Sequence, residues 1–230
     1  MSYVTAIVVA AGKGFRLRSK VAKPLVEIKS QPLIIYSLKT LSNHPDIRDI
    51  IVVVNSQNLK NILNKIKQFK LNKIKDVVLG GRLRQDSVYN GLKALDTRSS
   101  LVLIHDACRP FINQKMVSSV IREAKRSGAA ILGVPLKATI KKIQNPKSKI
   151  QTVEKTLNRN TLWEIQTPQV FKKDLILEAY KRFKHIAVTD DAMLAERMGV
   201  KVSVVTGSYD NIKITTPEDL ILAKAIANGL

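Results

Sequence analysis

Val4-Thr5-Ala6-Ile7-Val8-Val9-Ala10-Ala11-Gly12-Lys13-Gly14, residues 4–14, opens the chain. An uncharged, β-branched run without polar alternation leads straight into a turn of small residues. A strand buried on both faces of a parallel sheet reads this way. Runs of the same kind recur at residues 50–54, 77–79, 101–104 and 129–134. Between them, residues 33–41, 59–69, 86–95 and 116–125 carry apolar side chains at helical spacing. Repeated strand-helix units with right-handed crossovers make an α/β fold with a doubly wound, mostly parallel sheet. In such a sheet, the loop leaving the carboxyl end of a strand is the usual ligand site, and small residues let its amides close on an anion.

The pattern changes further along. Residues 139–143 and 150–156 read as two strands joined by the polar turn Gln144-Asn145-Pro146-Lys147-Ser148. The prediction is a projecting β-hairpin arm over residues 137–159, within a single domain spanning 1–230. An arm of this size cannot bury its own apolar face, so it is expected to pack on a second copy and form a homodimer. Helices are expected near residues 173–183 and 190–198 and from Pro217 onward, with a strand at 200–205. No repeat, linker or low-complexity segment interrupts the chain.

At 230 residues the chain is long enough to bury a sizeable core. No apolar run approaches the roughly 20 residues of a membrane helix, and Met1-Ser2-Tyr3-Val4 lacks a signal-peptide layout, so a cytoplasmic protein is expected. The single cysteine, Cys108, rules out an internal disulfide and a zinc site built on paired cysteines. The net charge of +21 invites a nucleic-acid reading. Its lysines, spread through residues 60–75, 137–155 and 172–184, are interleaved with few aromatics and follow no DNA-binding motif. Solvated lysine-rich faces, steering of anionic substrates and a basic nucleic-acid-binding protein all remain open on charge alone.

Motifs for phosphate binding compete for the first loop. A Walker A loop needs Gly-Lys-Ser/Thr, which is missing, and a dinucleotide fingerprint needs a third glycine where Leu17 stands and an acid where the second strand ends at Asn55. What is left is a glycine turn followed by Arg16 and Lys23. Two cations along a wrapping loop could hold a triphosphate; equally, the loop by itself could be a plain turn with exposed basic residues. Asp106 ends a strand beside His105 and Arg109. Its carboxylate suits Mg²⁺, but it could also pair with Arg109 or cap the next helix.

Downstream of the loop come Gly80-Gly81-x-x-Arg84-x-x-Ser87-Val88, His105-Asp106-Ala107-Cys108-Arg109-Pro110, Gln166-Thr167-Pro168-Gln169-x-Phe171, Thr189-Asp190-Asp191-Ala192 and the run from Asp210 to Leu220. With Ala10 to Lys23, this ordered set resembles the 2-C-methyl-D-erythritol 4-phosphate cytidylyltransferase family of the non-mevalonate isoprenoid route. The resemblance covers essentially the whole chain. It implies a Rossmann-like nucleotidyltransferase that joins CTP to a polyol phosphate with Mg²⁺ and works as a homodimer.

The resemblance also implies residue roles. Arg16 and Lys23 would be catalytic at the α-phosphate, while Ala10, Ala11, Gly12, Lys13, Gly14, Gly80, Gly81, Ser87 and Ala107 would hold the nucleotide. Asp106, Arg109, Thr139, Arg159, Thr189 and Lys213 would serve the acceptor, the two arm residues reaching across the dimer; Asp106 and Asp210 would bind the metal. Plainer readings stand beside these. Ser87 could be an ordinary helix start, Thr189 an N-cap, Thr139 and Arg159 ordinary exposed side chains, Trp163 a packing anchor, His105 a hydrogen-bonded structural residue and Cys108 core filler. The chain departs from the family at Ala22-Lys23-Pro24-Leu25, which is closer to the hexose-phosphate nucleotidyltransferases, at Ala138 before the arm threonine, and at Arg82 in the base-binding turn. Ribitol 5-phosphate is the alternative acceptor.

Overall fold

In the computed structural model, which describes residues 3–12, 14–17, 19, 21–145 and 150–229, the opening run forms β1 (Tyr3–Ala10). Its side chains divide between two cores. Val4, Ala6, Val8 and Ala10 enter one and Ile7 the other. Burial on both faces is why the sequence shows no polar alternation.

The chain continues through β2 (Glu27–Ile28), β3 (Gln31–Pro32), α1 (Leu33–Ser42), β4 (Ile47–Val54), α2 (Leu59–Gln68), β5 (Ile74–Leu79) and α3 (Arg84–Lys93). Next come β6 (Ser99–Asp106), α4 (Gln114–Ser127), β7 (Ala129–Pro135), β8 (Lys141–Gln144), β9 (Thr152–Thr156) and β10 (Trp163–Lys172). The chain finishes with α5 (Lys173–Arg182), α6 (Ala192–Arg197), β11 (Ser203–Thr206) and α7 (Pro217–Gly229).

Among the described residues, seven strands form one sheet in the order β11-β7-β10-β6-β1-β4-β5. β1 lies parallel to β4 and β6, β4 to β5, and β11 to β7. The apolar faces of α1, α2 and α4 cover one side through residues such as Leu38, Ile62 and Val120; α3, α5 and α6 cover the other through Leu92, Ile176 and Leu194. Each such side chain contributes about 1.5–3 kcal/mol by leaving water. A smaller core joins Leu17, Ile28, Leu33 and Ile214 to Ala223 and Ala227 of α7.

β10 was not expected, and it runs antiparallel between β6 and β7. Pro168 argues against a central strand, because proline has no N–H for the ladder. The structure meets this with a bulge: Gln166 pairs with Leu132 and Gln169 with Ile131, so Thr167 and Pro168 are skipped, across a cis peptide bond. No ladder hydrogen bond is asked of the proline, and Thr167 is turned toward β6.

Among the described residues β8 and β9 pair only with each other, antiparallel, and their side chains are exposed apart from a half-buried Ile143. Residues 146–148 of the expected turn lie outside the described residues. Trp163 is a correction: expected to anchor packing, it is 39% exposed at the start of β10.

Candidate active site

The carboxyl ends of β1, β4, β5 and β6 open on one cleft of about 600 Å³. Arg16 and Lys23 line it, together with Ala10, Ala11, Gly12, Gly14, Gly81, Ser87 and Ala107. Lys13, also expected to hold the nucleotide, lies outside the described residues. Gly14 adopts φ +68°, and a Cβ there would come within 2.8 Å of the Lys23 Cβ, so glycine lets the loop fold its lysine inward. Gly80 lies behind the lining, where a Cβ would meet the Ala11 Cβ at 2.5 Å and the Ser87 Oγ at 2.7 Å. Any side chain at Gly80 would separate the first loop from the third.

Ser87 is more than a helix start. Its hydroxyl donates to the Leu83 carbonyl at 3.0 Å and accepts from the Gly81 N–H at 3.2 Å, which shapes the turn around Arg82. Cys108, expected as core filler, is buried but borders the cleft, and burial pushes its thiol up toward the neutral form.

A second compartment of about 500 Å³ adjoins the first and shares Arg84, Asp106 and Lys213 with it. Arg109 and Thr189 line its wall, so four of the six residues expected to serve the acceptor meet there. Thr139 and Arg159 line neither compartment. Asp106 does not pair with Arg109. Its Oδ1 accepts from Arg84 Nε at 3.0 Å and its Oδ2 from Lys213 Nζ at 2.6 Å. Burial opposes its charge, but these two cations outweigh burial and hold the carboxyl below the ordinary range.

Arg109 instead donates to the carbonyls of Asn211 at 2.6 Å and Ile165 at 3.3 Å, while its buried Nε has no partner. Burial without a carboxylate partner lowers its pKa. A cation held by carbonyls beside a cavity is a ready receiver for an anion. Thr189 does not cap α6; Asp190 Oδ1 takes the Met193 N–H at 3.1 Å.

The β10 bulge supports both walls. Gln166 joins Asn211 and Ser208, Gln169 joins Asp190 and the amides of Asp191 and Ala192, and Thr167 joins β6. These braces and Arg84 are what reading the sequence missed. One signal was available for Arg84: a cation opening a helix sits against the macrodipole and needs another reason to be there.

His105 is fully buried, as a hydrogen-bonded structural residue should be. The Asp106 N–H donates to Thr167 Oγ1 at 3.1 Å, and Thr167 meets His105 Nδ1 at 3.0 Å. Nε2 lies 3.1 Å from the Arg109 carbonyl, which can only accept, so the network selects the neutral Nε2–H tautomer. Burial pushes its pKa down to about 4. Unfolded His105 would gain a proton near pH 6.5 and folded His105 only near 4, so stability should fall as pH drops through that window, by on the order of 3 kcal/mol. Burial lowers His44 as well, in the same sense. His105→Gln is therefore expected to flatten, without abolishing, the loss of denaturant stability between pH 7 and pH 4.5; an unchanged slope would contradict the assignment.

The metal expectation meets a spare donor set. Asp210 is exposed and lines neither compartment. Among the described residues no three or more His, Cys, Asp or Glu side chains gather as a metal cluster. At the junction the described residues bring one hard carboxylate, Asp106, with Arg84 on one oxygen and Lys213 on the other, so Mg²⁺ would draw most of its ligands from substrate phosphates and water.

The family model for 2-C-methyl-D-erythritol 4-phosphate cytidylyltransferase matches residues 4–228. Proteins of that name from Dictyoglomus thermophilum and Clostridium botulinum strain Langeland are 45% and 43% identical, over 98% and 100% of this chain and 97% and 100% of theirs. The solved 4-diphosphocytidyl-2C-methyl-D-erythritol synthase of Anaerococcus prevotii superposes with a TM-score of 0.86 at 34% identity, over 99% of this chain and 96% of that one. The Thermus thermophilus cytidylyltransferase structure gives 0.77 at 28% identity, over 96% and 98%.

Proposed function

We propose that this chain, which belongs to the 2-C-methyl-D-erythritol 4-phosphate cytidylyltransferase family, divides one reaction between its two compartments. The reaction joins CTP and 2-C-methyl-D-erythritol 4-phosphate into 4-diphosphocytidyl-2-C-methyl-D-erythritol with release of pyrophosphate. The glycine-rich cleft takes CTP, and the compartment beside Arg109 and Thr189 takes the polyol phosphate. The observation that carries this division is their shared wall of Arg84, Asp106 and Lys213.

An acceptor phosphate oxygen attacks the α-phosphorus in line. A phosphate monoester is largely ionised at neutral pH, so no strong general base is required. The loop amides orient the triphosphate, Arg16 and Lys23 neutralise charge developing at the α-phosphate, and Lys213 and Arg109 hold the acceptor. Mg²⁺ would be held mostly by the triphosphate and water, with Asp106 contributing at most one oxygen, and would screen phosphate charge. Asp210 is not part of that proposal.

The arm, we infer, completes the acceptor pocket of a second subunit through Thr139 and Arg159. Among the described residues no helix is long and apolar enough to cross a membrane, in keeping with a cytoplasmic home for the enzyme. The positive charge is read as solvated faces that also favour anionic substrates. Mass spectrometry of mixtures containing CTP and either methylerythritol or ribitol phosphate tests the acceptor. The expected result is the methylerythritol product with pyrophosphate; turnover of ribitol phosphate alone would overturn it.

A further inference from the structure

We propose that Arg84 is the positioning residue that fixes Asp106 between the two compartments, with Asp191 as its anchor. Arg84 is the first residue of α3, where a cation gains nothing from the helix. Its reason for being there lies across the site. Nε reaches Asp106 Oδ1 at 3.0 Å and Nη2 reaches Asp191 Oδ2 at 2.9 Å, so one planar fork spans two carboxylates from different elements. Burial opposes the guanidinium's charge, but Asp191 and Asp106 outweigh it and keep the group firmly cationic.

The anchor is rigid. Asp191 is 0% exposed and accepts a short hydrogen bond from the Tyr180 hydroxyl. The Tyr180 ring stacks on Tyr89 of α3, with centroids 6.0 Å apart and planes 2° from parallel. Arg84 is thus tied to α3 by its backbone and to α5 through Asp191 and Tyr180. Asp106 is held at Oδ1 by a group tied to two elements, which leaves Oδ2 turned to Lys213. Loss of the splint would let the carboxylate rotate and carry Lys213 with it. The nucleotide loop would be untouched.

A purely structural reading makes Arg84 the counter-ion of a buried aspartate. The two readings part in the double variant Arg84→Gln with Asp191→Asn, which removes the buried charge together with its partner. If Arg84 only balances Asp191, that variant recovers both folding and kinetics. If Arg84 positions Asp106, it melts close to the wild type, yet kcat/KM for the polyol phosphate stays down by about 10- to 100-fold, while KM for CTP, which the loop amides hold as well, rises by a smaller factor.

Arg84→Lys supplies a second, independent reading. It keeps the charge but cannot span both carboxylates, and is expected to show the same acceptor-side defect. Wild-type kinetics in either folded variant overturns the proposal, and Arg84→Lys decides alone should the double variant not fold. The proposal rests on the division of compartments given above, so wild type is assayed in parallel. A wild type that forms no product from CTP and methylerythritol phosphate strikes that division, and the proposal falls with it; a normal wild type with normal variants strikes the role of Arg84 alone.

Discussion

Lys23→Ala is expected to lower kcat by about 10²- to 10³-fold, while the melting temperature stays close to wild type. Lys23 lies in a single 3-10 turn, Lys23–Leu25, whose buried Pro24 fixes the backbone while the lysine side chain lines the nucleotide cleft. Among the described residues neither Lys23 nor Arg16 enters a salt bridge, although Asp106, Arg84 and Lys213 on the opposite wall all do. The first loop therefore brings uncompensated positive charge to a site whose far wall is already balanced. Such charge gains most where negative charge develops, and removing one preorganised stabiliser of that kind costs about 3–4 kcal/mol in the barrier. Folding has no comparable stake, because a half-exposed lysine with no ion pair leaves nothing buried and unpaired when truncated. Arg16→Ala is expected to act in the same sense. Steady-state kinetics and a thermal melt on the same preparations check it. A raised KM for CTP with unchanged kcat would mean that Lys23 grips ground state and transition state equally. A large drop in melting temperature would make the lysine part of the loop's scaffold.

The loop was legible in the sequence because backbone chemistry dictates it: small residues after a buried strand mark a ligand loop whatever surrounds them. The parallel half of the sheet was legible for a related reason, since strands buried on both faces leave uninterrupted apolar runs. β10 was not. Its Trp163-Glu164-Ile165-Gln166 stretch mixes polarity, and Pro168 removes the ladder donor that a central strand should supply. The cost is avoided by skipping Thr167 and Pro168 in the register, a solution that exists only once β6 and β7 flank the strand.

The polar wall of the site was hidden for another reason. Asp106 and Arg109 stand three apart in sequence and suggest a pair, but Arg109 turns to the carbonyls of Asn211 and Ile165, and Asp106 finds Arg84 and Lys213 from distant elements. Ion pairs between chain-distant side chains leave no local pattern. Thr189 shows the same limit on a smaller scale. It and Asp190 are both good caps, and only the path of the loop chooses Asp190.

Mixing two inactive variants is expected to restore activity, and this is the largest effect to follow from the arm. Arg159 and Thr139 line neither compartment of their own chain; Arg159 Nη1 donates to the Lys137 carbonyl at 2.8 Å. The arm's root is fastened to the body: Lys137 Nζ sits 3.5 Å over the Tyr209 ring, and the Tyr209 hydroxyl donates to the Pro135 carbonyl at 2.8 Å. Ile150 and Val153, 81% and 56% exposed, are apolar side chains that gain by being covered. Arg159 can then serve an acceptor pocket if that pocket belongs to another copy. If two copies pair through the arm as proposed, Arg159→Ala protein should lose affinity for the polyol phosphate while keeping it for CTP, and Lys23→Ala protein should lose turnover. In a mixed dimer, the body with Lys23 intact would meet an arm with Arg159 intact, so one of its two sites is whole. Random reassortment makes about half the dimers mixed, so co-expression should return activity to about a quarter of wild type per subunit. If the arm acts within its own chain, every site keeps one lesion. Activity no higher than the average of the two parents, in a sample whose mixed dimers are verified by differential tags, would exclude an arm that works across the interface.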